Sequence, residues 1–216
     1  MLDGIIDQFI NKLKKDKKLE AYIFYEESPI KVVLLVLDID FERKQIEFEI
    51  NPKIEVMINQ EKEIYVRFSN EVLLLRPLFW NKETLVTTFP FLAIEPKVKR
   101  EYVRVKCSPK NPILLEIYDN VNVCVSLRDI SEKGFSFKLS KTVYLELNET
   151  FSGKLNINGK SLPIVFKILY KIERPDNTYR YGAKILNVAP KIEDEVAKYI
   201  FERQREIAKI LNTFAD

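Results

Sequence analysis

Basic residues are concentrated in the segment 97–106, near the middle of the chain. This segment carries five basic residues and one acid, a local charge of 5 − 1 = +4, although the whole chain carries only +3. The five are Lys97, Lys99, Arg100, Arg104 and Lys106. A local excess of positive charge indicates a binding site for an anionic partner. Charge alone is equally consistent with a basic linker exposed to solvent.

Two arginines in this segment are spaced so that they can act together. Arg100 and Arg104 are four residues apart, and residues at even spacing lie on the same side of an extended backbone. A guanidinium pairs with a phosphate through two parallel hydrogen bonds, and its flat face stacks on a purine base. The spacing therefore predicts that both arginines contact one phosphate-containing ligand.

A second candidate for ligand binding is Asp129–Gly134, which follows the apolar run Val121–Leu127. Aspartate and serine favour turns, and glycine tolerates a positive φ, so one interpretation is an ordinary hairpin connection. The other interpretation is recognition of a purine. A carboxylate accepts hydrogen bonds from N1 and N2 of guanine, a hydroxyl can add another bond, and glycine lets a ligand approach the backbone. The segment by itself leaves both interpretations open.

Together, the two segments resemble the signature of the PilZ domain family, an RxxxR pair followed along the chain by DxSxxG. Here the signature reads Arg100–Arg104 and Asp129–Gly134. Lys99–Val105 also resembles the family's basic and aromatic lead-in, and Tyr181–Ile185 resembles its last core strand. The resemblance covers about residues 97–215. It departs from the family at Lys99, where many members have another arginine, and in the last strand, which ends in isoleucine where phenylalanine is common.

The resemblance implies a receptor for cyclic di-GMP. The arginines would bind phosphates and guanines, and the aspartate and serine would recognise the edge of a guanine. The ligand-binding residues implied are Lys99, Arg100, Arg104, Asp129, Ser131 and Gly134. We expect Arg100 and Asp129 to be exposed, and we expect no cofactor or metal besides this ligand.

The resemblance also implies a change in domain geometry. In the family the basic segment is often mobile until ligand arrives, so binding would order residues 97–103 and rotate the N-terminal domain against the barrel. The β-rich module that precedes the motifs resembles the two-domain arrangement of flagellar-brake proteins. The implied output is regulation of motility or surface-associated behaviour, through the flagellar motor or another effector protein.

The absence of histidine from the chain restricts the chemistry that it can perform. Ser-His-Asp and Cys-His catalysis are excluded. Cys107 and Cys124 do not form a metal-binding spacing, so a metal site is not expected. The best case for an enzyme is the carboxylate pair Asp38 and Asp40, which solvated turn acids explain more simply. We therefore predict a binding protein and not an enzyme.

Two other kinds of binding remain as alternatives. A small barrel with basic residues and aromatics such as Tyr102 could bind single-stranded nucleic acid. Alternatively, a PilZ fold could serve as an adaptor that binds protein partners without nucleotide. The intact arginines, aspartate, serine and glycine of the motifs argue against the adaptor, and we predict no DNA binding.

Hydrophobic periodicity predicts a mainly β fold with two small antiparallel β-barrels, a short linker, and an N-terminal and a C-terminal α-helix. The predicted domains are residues 1–95 and residues 97–216. Pro90 and Pro96 bracket the linker Phe91–Glu95, and the first helix takes up about the first 15 residues. Strands are predicted at Lys31–Leu37, Gln45–Ile50, Lys53–Ile58, Glu63–Phe68, Val72–Leu75, Thr84–Phe89, Arg104–Cys107, Ile113–Tyr118, Val121–Arg128, Gly134–Leu139, Glu149–Ile157, Lys160–Glu173 and Tyr179–Asn187.

The final helix is predicted to begin at Pro190, where proline fits the first turn. Its apolar stripe is interrupted at Arg203. The stripe could pack on the helix's own barrel or could mediate dimerisation, so the protein is a monomer or a homodimer.

The sequence also bears on localisation. No window has the roughly 18 uninterrupted apolar residues that a membrane span needs. Asp3, Asp7 and the lysine cluster after the first apolar residues do not follow the order of a secretory signal. We predict a cytoplasmic protein without a membrane span.

Overall fold

A computed structural model describes residues 2–94, 100–118, 122–186 and 189–214. The fold is mainly β, with 50% of residues in strands and 22% in helices, and helices lie at both ends, so the predicted fold class is confirmed. The chain divides into two units, residues 1–101 together with 208–216, and residues 102–207. The boundary predicted at residues 95–97 lies outside the described residues.

The first unit is built on one curled antiparallel sheet. Its described elements are α1 (Leu2–Asp16), β1 (Lys18–Tyr25), β2 (Ser28–Asp40), β3 (Gln45–Glu49), α2 (Pro52–Gln60), β4 (Ile64–Phe68), β5 (Glu71–Leu75), β6 (Pro77–Trp80), β7 (Thr84–Thr88) and β8 (Phe91–Leu92). The strand order is β6-β7-β3-β2-β1-β4-β5-β8. This sheet curls into a half-barrel and does not close, whereas the sequence predicted a barrel.

Alternation along β2 explains why this sheet has one buried face. Val32, Leu34 and Val36 are buried, whereas Val33 and Leu35 are about half exposed. Since successive side chains of a strand point to opposite faces, the even-numbered residues supply the core.

The prediction of a strand at Lys53–Ile58 is wrong, because these residues lie in helix α2. The β-branched residues of this run suggested a strand. The Asn51 side chain instead accepts a hydrogen bond from the amide of Ile54 at 3.0 Å and caps the helix, and Pro52 occupies its first turn. Ile54 and Met57 are three residues apart and are both buried, as one helix face requires.

Three of the strands described in the first unit were not predicted. Strand β1 pairs along its whole length with β2, and β6 pairs with β7. Strand β8 pairs with Leu73 and Leu74 of β5, although its residues were predicted to begin the linker. Pairing with a partner strand, which local sequence does not reveal, determines these elements.

The second unit is a β-barrel. Its described elements, with the helix that follows, are β9 (Arg104–Lys106), β10 (Leu114–Ile117), β11 (Val123–Ser131), β12 (Gly134–Ser140), β13 (Thr150–Ile157), β14 (Lys160–Glu173), β15 (Thr178–Ile185) and α3 (Pro190–Asn212). The strand order is β10-β13-β14-β15-β12-β11-β9. Within the described ranges, six strands close the barrel because β10 also pairs with β11, and β9 is added at the edge of β11.

Helix α3 packs on its own barrel along the residues that belong to the barrel unit. Ile192, Val196, Tyr199 and Ile200 are part of the barrel's buried apolar core. The first of the two alternatives for the apolar stripe is therefore confirmed for this part of the helix.

Polar side chains of α3 also hold the short strand β9 and the residues after it. Arg203 is buried, and its Nε donates to the carbonyl oxygen of Lys106 at 2.9 Å. The Tyr199 hydroxyl accepts from the amide of Ser108 and donates to the carbonyl of Asn111, each at 2.9 Å. Burial raises the pKa of Tyr199 above its usual range, so the hydroxyl keeps its proton. The arginine that interrupts the apolar stripe is thus a structural donor.

We expect Tyr199→Phe to lower the free energy of unfolding by about 1–3 kcal/mol, because the buried amide of Ser108 loses its acceptor. Urea denaturation followed by circular dichroism measures this change. Tyr118→Phe is the control, since its hydroxyl bonds Glu116 on the exposed surface and its loss should change little. Equal midpoints for the two variants would contradict the anchoring role of Tyr199.

Candidate functional site

The pairing of β9 with β11 brings the two predicted motifs together. Arg104 lies opposite Ser131, and Lys106 lies opposite Asp129. The RxxxR and DxSxxG segments are separated along the chain, yet the last arginine of the first segment faces the serine of the second on a neighbouring antiparallel strand. Side chains that face each other in this way lie close enough to interact directly.

The DxSxxG segment is more regular than a loop. Asp129 and Ser131 belong to β11, and Ser131 pairs with Gly134 at the start of β12. Only Glu132 and Lys133 form the turn between the strands. The prediction of a turn from Asp129 to Gly134 is therefore correct for its centre and wrong for its first and last residues.

Asp129 is the centre of a buried ionic cluster. Its Oδ1 accepts a hydrogen bond from Arg104 Nη1 at 3.1 Å, and its Oδ2 accepts one from Arg180 Nη2 at 2.9 Å. Ser136 Oγ also donates to Oδ2, at 2.5 Å. The Asp129 side chain is 0% exposed, whereas the side chains of Arg104 and Arg180 are 19% and 14% exposed. Two cations and a hydroxyl replace the water that an ionised carboxylate would otherwise need.

The expectation that Asp129 is exposed is therefore wrong. A register irregularity lies between Leu127 and Asp129, and beyond it β11 pairs with β9 on one side and with β12 on the other. Sequence cannot show this burial, because it depends on which strands are neighbours in the sheet.

Ser131 and Gly134 have structural roles in addition to those predicted for them. Ser131 is buried, and its hydroxyl donates to the carbonyl oxygen of Gly134 at 3.0 Å. A Cβ atom at Gly134 would lie 2.5 Å from the backbone oxygen of Ala183 on β15. Glycine is therefore required at this position by the close approach of the strands. Contact of either residue with a ligand remains a prediction.

The remaining predicted residues lie in the segment before the barrel. Arg100 belongs to the first unit, where its Nη1 donates to Glu27 Oε2 at 2.9 Å. Both side chains are 28% exposed, so the expectation of an exposed Arg100 is only partly met. Lys97 and Lys99 lie outside the described residues. The convergence of Arg100 and Arg104 on one ligand stays a prediction.

Two members of the cluster, Ser136 and Arg180, were not among the residues predicted for the site. Ser136 lies two residues after Gly134, on the strand that pairs with Asp129. Arg180 lies two residues before Gly182, inside the predicted last strand of the barrel. A signal was available, because a charged residue within a core strand is rarely buried without a partner of opposite charge.

The charge of Asp129 also affects a neighbouring thiol. Burial raises the pKa of Cys107 to about 12, and the negative charge of Asp129 acts in the same direction. Cys107 is therefore a neutral thiol near pH 7 and adds no charge to the cluster.

The residues proposed for an enzyme have a simpler role. Asp40 Oδ1 accepts from the backbone amide of Arg43 at 2.8 Å, and its Oδ2 lies 3.8 Å from Arg43 Nε. Asp38 is exposed near the end of the same strand. Asp40 therefore stabilises the turn between β2 and β3, as the simpler interpretation predicted.

Residues 2–94, 100–118, 122–186 and 189–214 bear on two further properties, metal binding and membrane crossing. There, no group of three or more His, Cys, Asp or Glu side chains is placed to hold a metal ion. None of the helices found there combines the length and the apolar character that crossing a membrane would require.

Comparison with known proteins identifies the barrel. Residues 98–202 match the PilZ domain family. An uncharacterized protein of Aquifex aeolicus (strain VF5) is 26% identical to this chain over 219 residues, which cover 92% of each protein. The C-terminal part of this chain is therefore a PilZ domain, and the suggested family is confirmed.

Solved structures resemble the chain beyond the PilZ domain. The complex of MrkH from K. pneumonia with c-di-GMP has a TM-score of 0.50 at 12% identity, and the match covers 97% of this chain and 96% of that chain. YcgR from Escherichia coli in complex with c-di-GMP has a TM-score of 0.47 at 17% identity, with coverage of 96% and 93%. The likeness to MrkH concerns the fold, and it includes the first unit as well as the barrel.

We expect Asp129→Ala to lower the free energy of unfolding by about 3–5 kcal/mol, because two largely buried guanidinium groups lose their shared carboxylate. Urea denaturation measures the loss. Glu173→Ala is the matched control, since it removes a carboxylate that pairs with Lys141 at the surface, and we expect a much smaller change. If the two variants unfold at the same urea concentration, the cluster does not stabilise the barrel.

Proposed function

We propose that this protein is a receptor for cyclic di-GMP that binds the ligand at the Asp129 cluster. The observation that carries the proposal is the position of Arg104. This residue is paired with Ser131 on the neighbouring strand, and its Nη1 lies 3.1 Å from Asp129 Oδ1. Residues of both PilZ motifs thus share one place on the barrel. The proposed function is binding and not catalysis, in keeping with a chain that has no histidine.

The chemistry of these side chains suits the two parts of the ligand. Arg104 and Arg100 offer guanidinium groups that pair with phosphates in a planar arrangement and stack on guanine. Asp129 offers carboxylate oxygens to N1–H and N2–H of guanine, and the hydroxyl of Ser131 can add a further hydrogen bond. Lys99 would add positive charge, and Gly134 would allow the ligand to approach the backbone.

Related proteins support this assignment. The MrkH and YcgR structures that resemble this chain are complexes with c-di-GMP. The barrel itself is a PilZ domain over residues 98–202. The family assignment and the chemistry of the cluster thus favour the same ligand.

An adaptor that binds protein partners without nucleotide is the second candidate. The observation that favours it is the completeness of the Asp129 cluster, in which Arg104, Arg180 and Ser136 already bond the carboxylate. Such a cluster could stabilise the barrel without any ligand. Direct measurement of binding distinguishes the two functions.

We expect the full chain to bind cyclic di-GMP selectively over GTP and linear pGpG in isothermal titration at moderate salt. Arg104→Ala should weaken binding at least ~10-fold, because a lost charge-assisted contact costs more than about 1.4 kcal/mol. Arg174→Ala, which changes a partly exposed arginine of the same unit, is the control. Thermal melting of each variant shows that it is folded.

Each outcome of this titration has a distinct meaning. Absence of heat with folded wild-type protein would overturn the receptor and favour the adaptor. Binding to many oligonucleotides with a steep dependence on salt would instead indicate a nucleic-acid protein. Equal affinity in Arg104→Ala and wild type would show that the ligand binds elsewhere.

We further propose that ligand binding orders residues 97–103 and changes the geometry between the two units. This change would regulate motility or surface-associated behaviour, through the flagellar motor or another effector protein. Arg100 supports the proposal, because it belongs to the first unit and is also part of the motif at the barrel entrance. A ligand that recruits Arg100 would compete with its ion pair to Glu27.

Small-angle X-ray scattering tests this change of geometry. We expect a saturating concentration of cyclic di-GMP to change the scattering profile of the wild-type chain and to leave that of Arg104→Ala unchanged. Identical wild-type profiles with and without ligand, at concentrations where titration shows full binding, would contradict the proposal.

A further inference from the structure

Asp129 is held by two arginines that contact different oxygens of its carboxylate. Arg104 bonds Oδ1, and Arg180 bonds Oδ2. With one carboxylate and two guanidinium groups, the cluster has a net charge of 2 − 1 = +1. One arginine can therefore pair with a ligand phosphate while the other still neutralises the buried carboxylate.

The two arginines are not held equally. Arg180 Nη2 is 2.9 Å from Asp129 Oδ2 and 3.4 Å from Ser136 Oγ, and the same hydroxyl donates to Oδ2. Arg180, Asp129 and Ser136 thus form a closed set of contacts around one oxygen. Among the residues that the structure describes, the Arg104 side chain has one hydrogen bond, of 3.1 Å to Oδ1.

The two arginines also differ in the position of their strands, because Arg180 lies inside the sheet and Arg104 lies at its edge. Arg180 lies on β15, which is between β14 and β12 in the sheet, and its backbone partner on β12 is Lys138. Arg104 lies at the end of β9, a strand of three residues at the edge of the sheet. Arg104 can therefore change its contacts with less disturbance of the barrel than Arg180 can.

We propose that Arg180 is a positioning residue for ligand recognition, which keeps the Asp129 side chain oriented when Arg104 moves from Oδ1 to a phosphate. Oδ1 is then available to accept hydrogen bonds from a guanine, while Oδ2 remains bonded to Arg180 and Ser136. This inference rests on the proposed function. It assigns a role in guanine recognition to a residue outside both motifs.

A double-mutant cycle tests whether Arg180 acts through Asp129. The variants are Arg180→Met, which keeps a long side chain without charge, Asp129→Asn, and the double variant. Each is titrated with cyclic di-GMP and with cyclic di-AMP, which carries the same phosphates but has no N1–H donor. Arg174→Met is the control for loss of a positive charge in the same unit.

We expect Arg180→Met to weaken cyclic di-GMP binding at least ~10-fold and to change cyclic di-AMP binding less than ~2-fold, because the loss concerns the base and not the phosphates. In the Asp129→Asn background the same substitution should have less than a ~2-fold further effect, since the carboxylate that it orients is gone. Arg180→Lys should restore part of the affinity, because it retains the charge without the planar contacts to Oδ2 and Ser136.

Four results would overturn the inference. Wild-type affinity for cyclic di-GMP in Arg180→Met would remove any role for Arg180 and leave the receptor intact. An equal loss for both dinucleotides, or an equal loss with and without Asp129, would show that Arg180 acts independently of that carboxylate. No binding by the wild type would overturn the proposed function, and this inference with it.

A folding control keeps the test decisive. If Arg180→Met melts at too low a temperature to titrate, Arg180→Lys replaces it in the cycle. The lysine variant should then show a smaller loss that is still specific to the guanine ligand. A loss shared equally by cyclic di-AMP would contradict the positioning role.

Discussion

A carboxylate buried inside a β-barrel has to be surrounded by cations and hydrogen-bond donors, because its hydration is lost. Asp129 meets this requirement through Arg104, Arg180 and Ser136, which come from three different strands. These three contacts therefore depend on the strand order β15-β12-β11-β9 in the sheet. Conversely, the Asp129 carboxylate of β11 accepts hydrogen bonds from one side chain each of β9, β12 and β15, and so links these strands at one point.

Strand β9 is the element that depends most on its surroundings. It has three residues and hydrogen-bonds only to β11 among the described strands, so pairing alone gives it little stability. Helix α3 supplies the rest. Arg203 bonds the last carbonyl of the strand, and Tyr199 bonds the backbone just beyond it. The helix that follows the barrel thus helps to place Arg104 at the far end of the same short strand.

The same side chains can serve stability and recognition. A cluster with one more guanidinium than carboxylate has positive charge to offer to a phosphate while the buried acid stays neutralised. Gly134 also has a packing role, because the backbone of β15 leaves no room for a side chain at this position. A motif residue in this fold therefore has a packing role that exists independently of any ligand.

The sequence by itself determined the elements whose pattern is local. Alternation located strands such as β14, which was predicted at its observed bounds. The two motifs identified the PilZ domain and most of its candidate site. Periodicity was ambiguous at Ile54–Ile58, where apolar residues fit both a strand and a helix face, and the cap at Asn51 decided for the helix. Only the tertiary structure decided that Asp129 is buried and that Ser136 and Arg180 hold it. The reason is physical: Arg180 is 51 residues away along the chain, and the strand order β15-β12-β11 in the sheet brings it to the carboxylate.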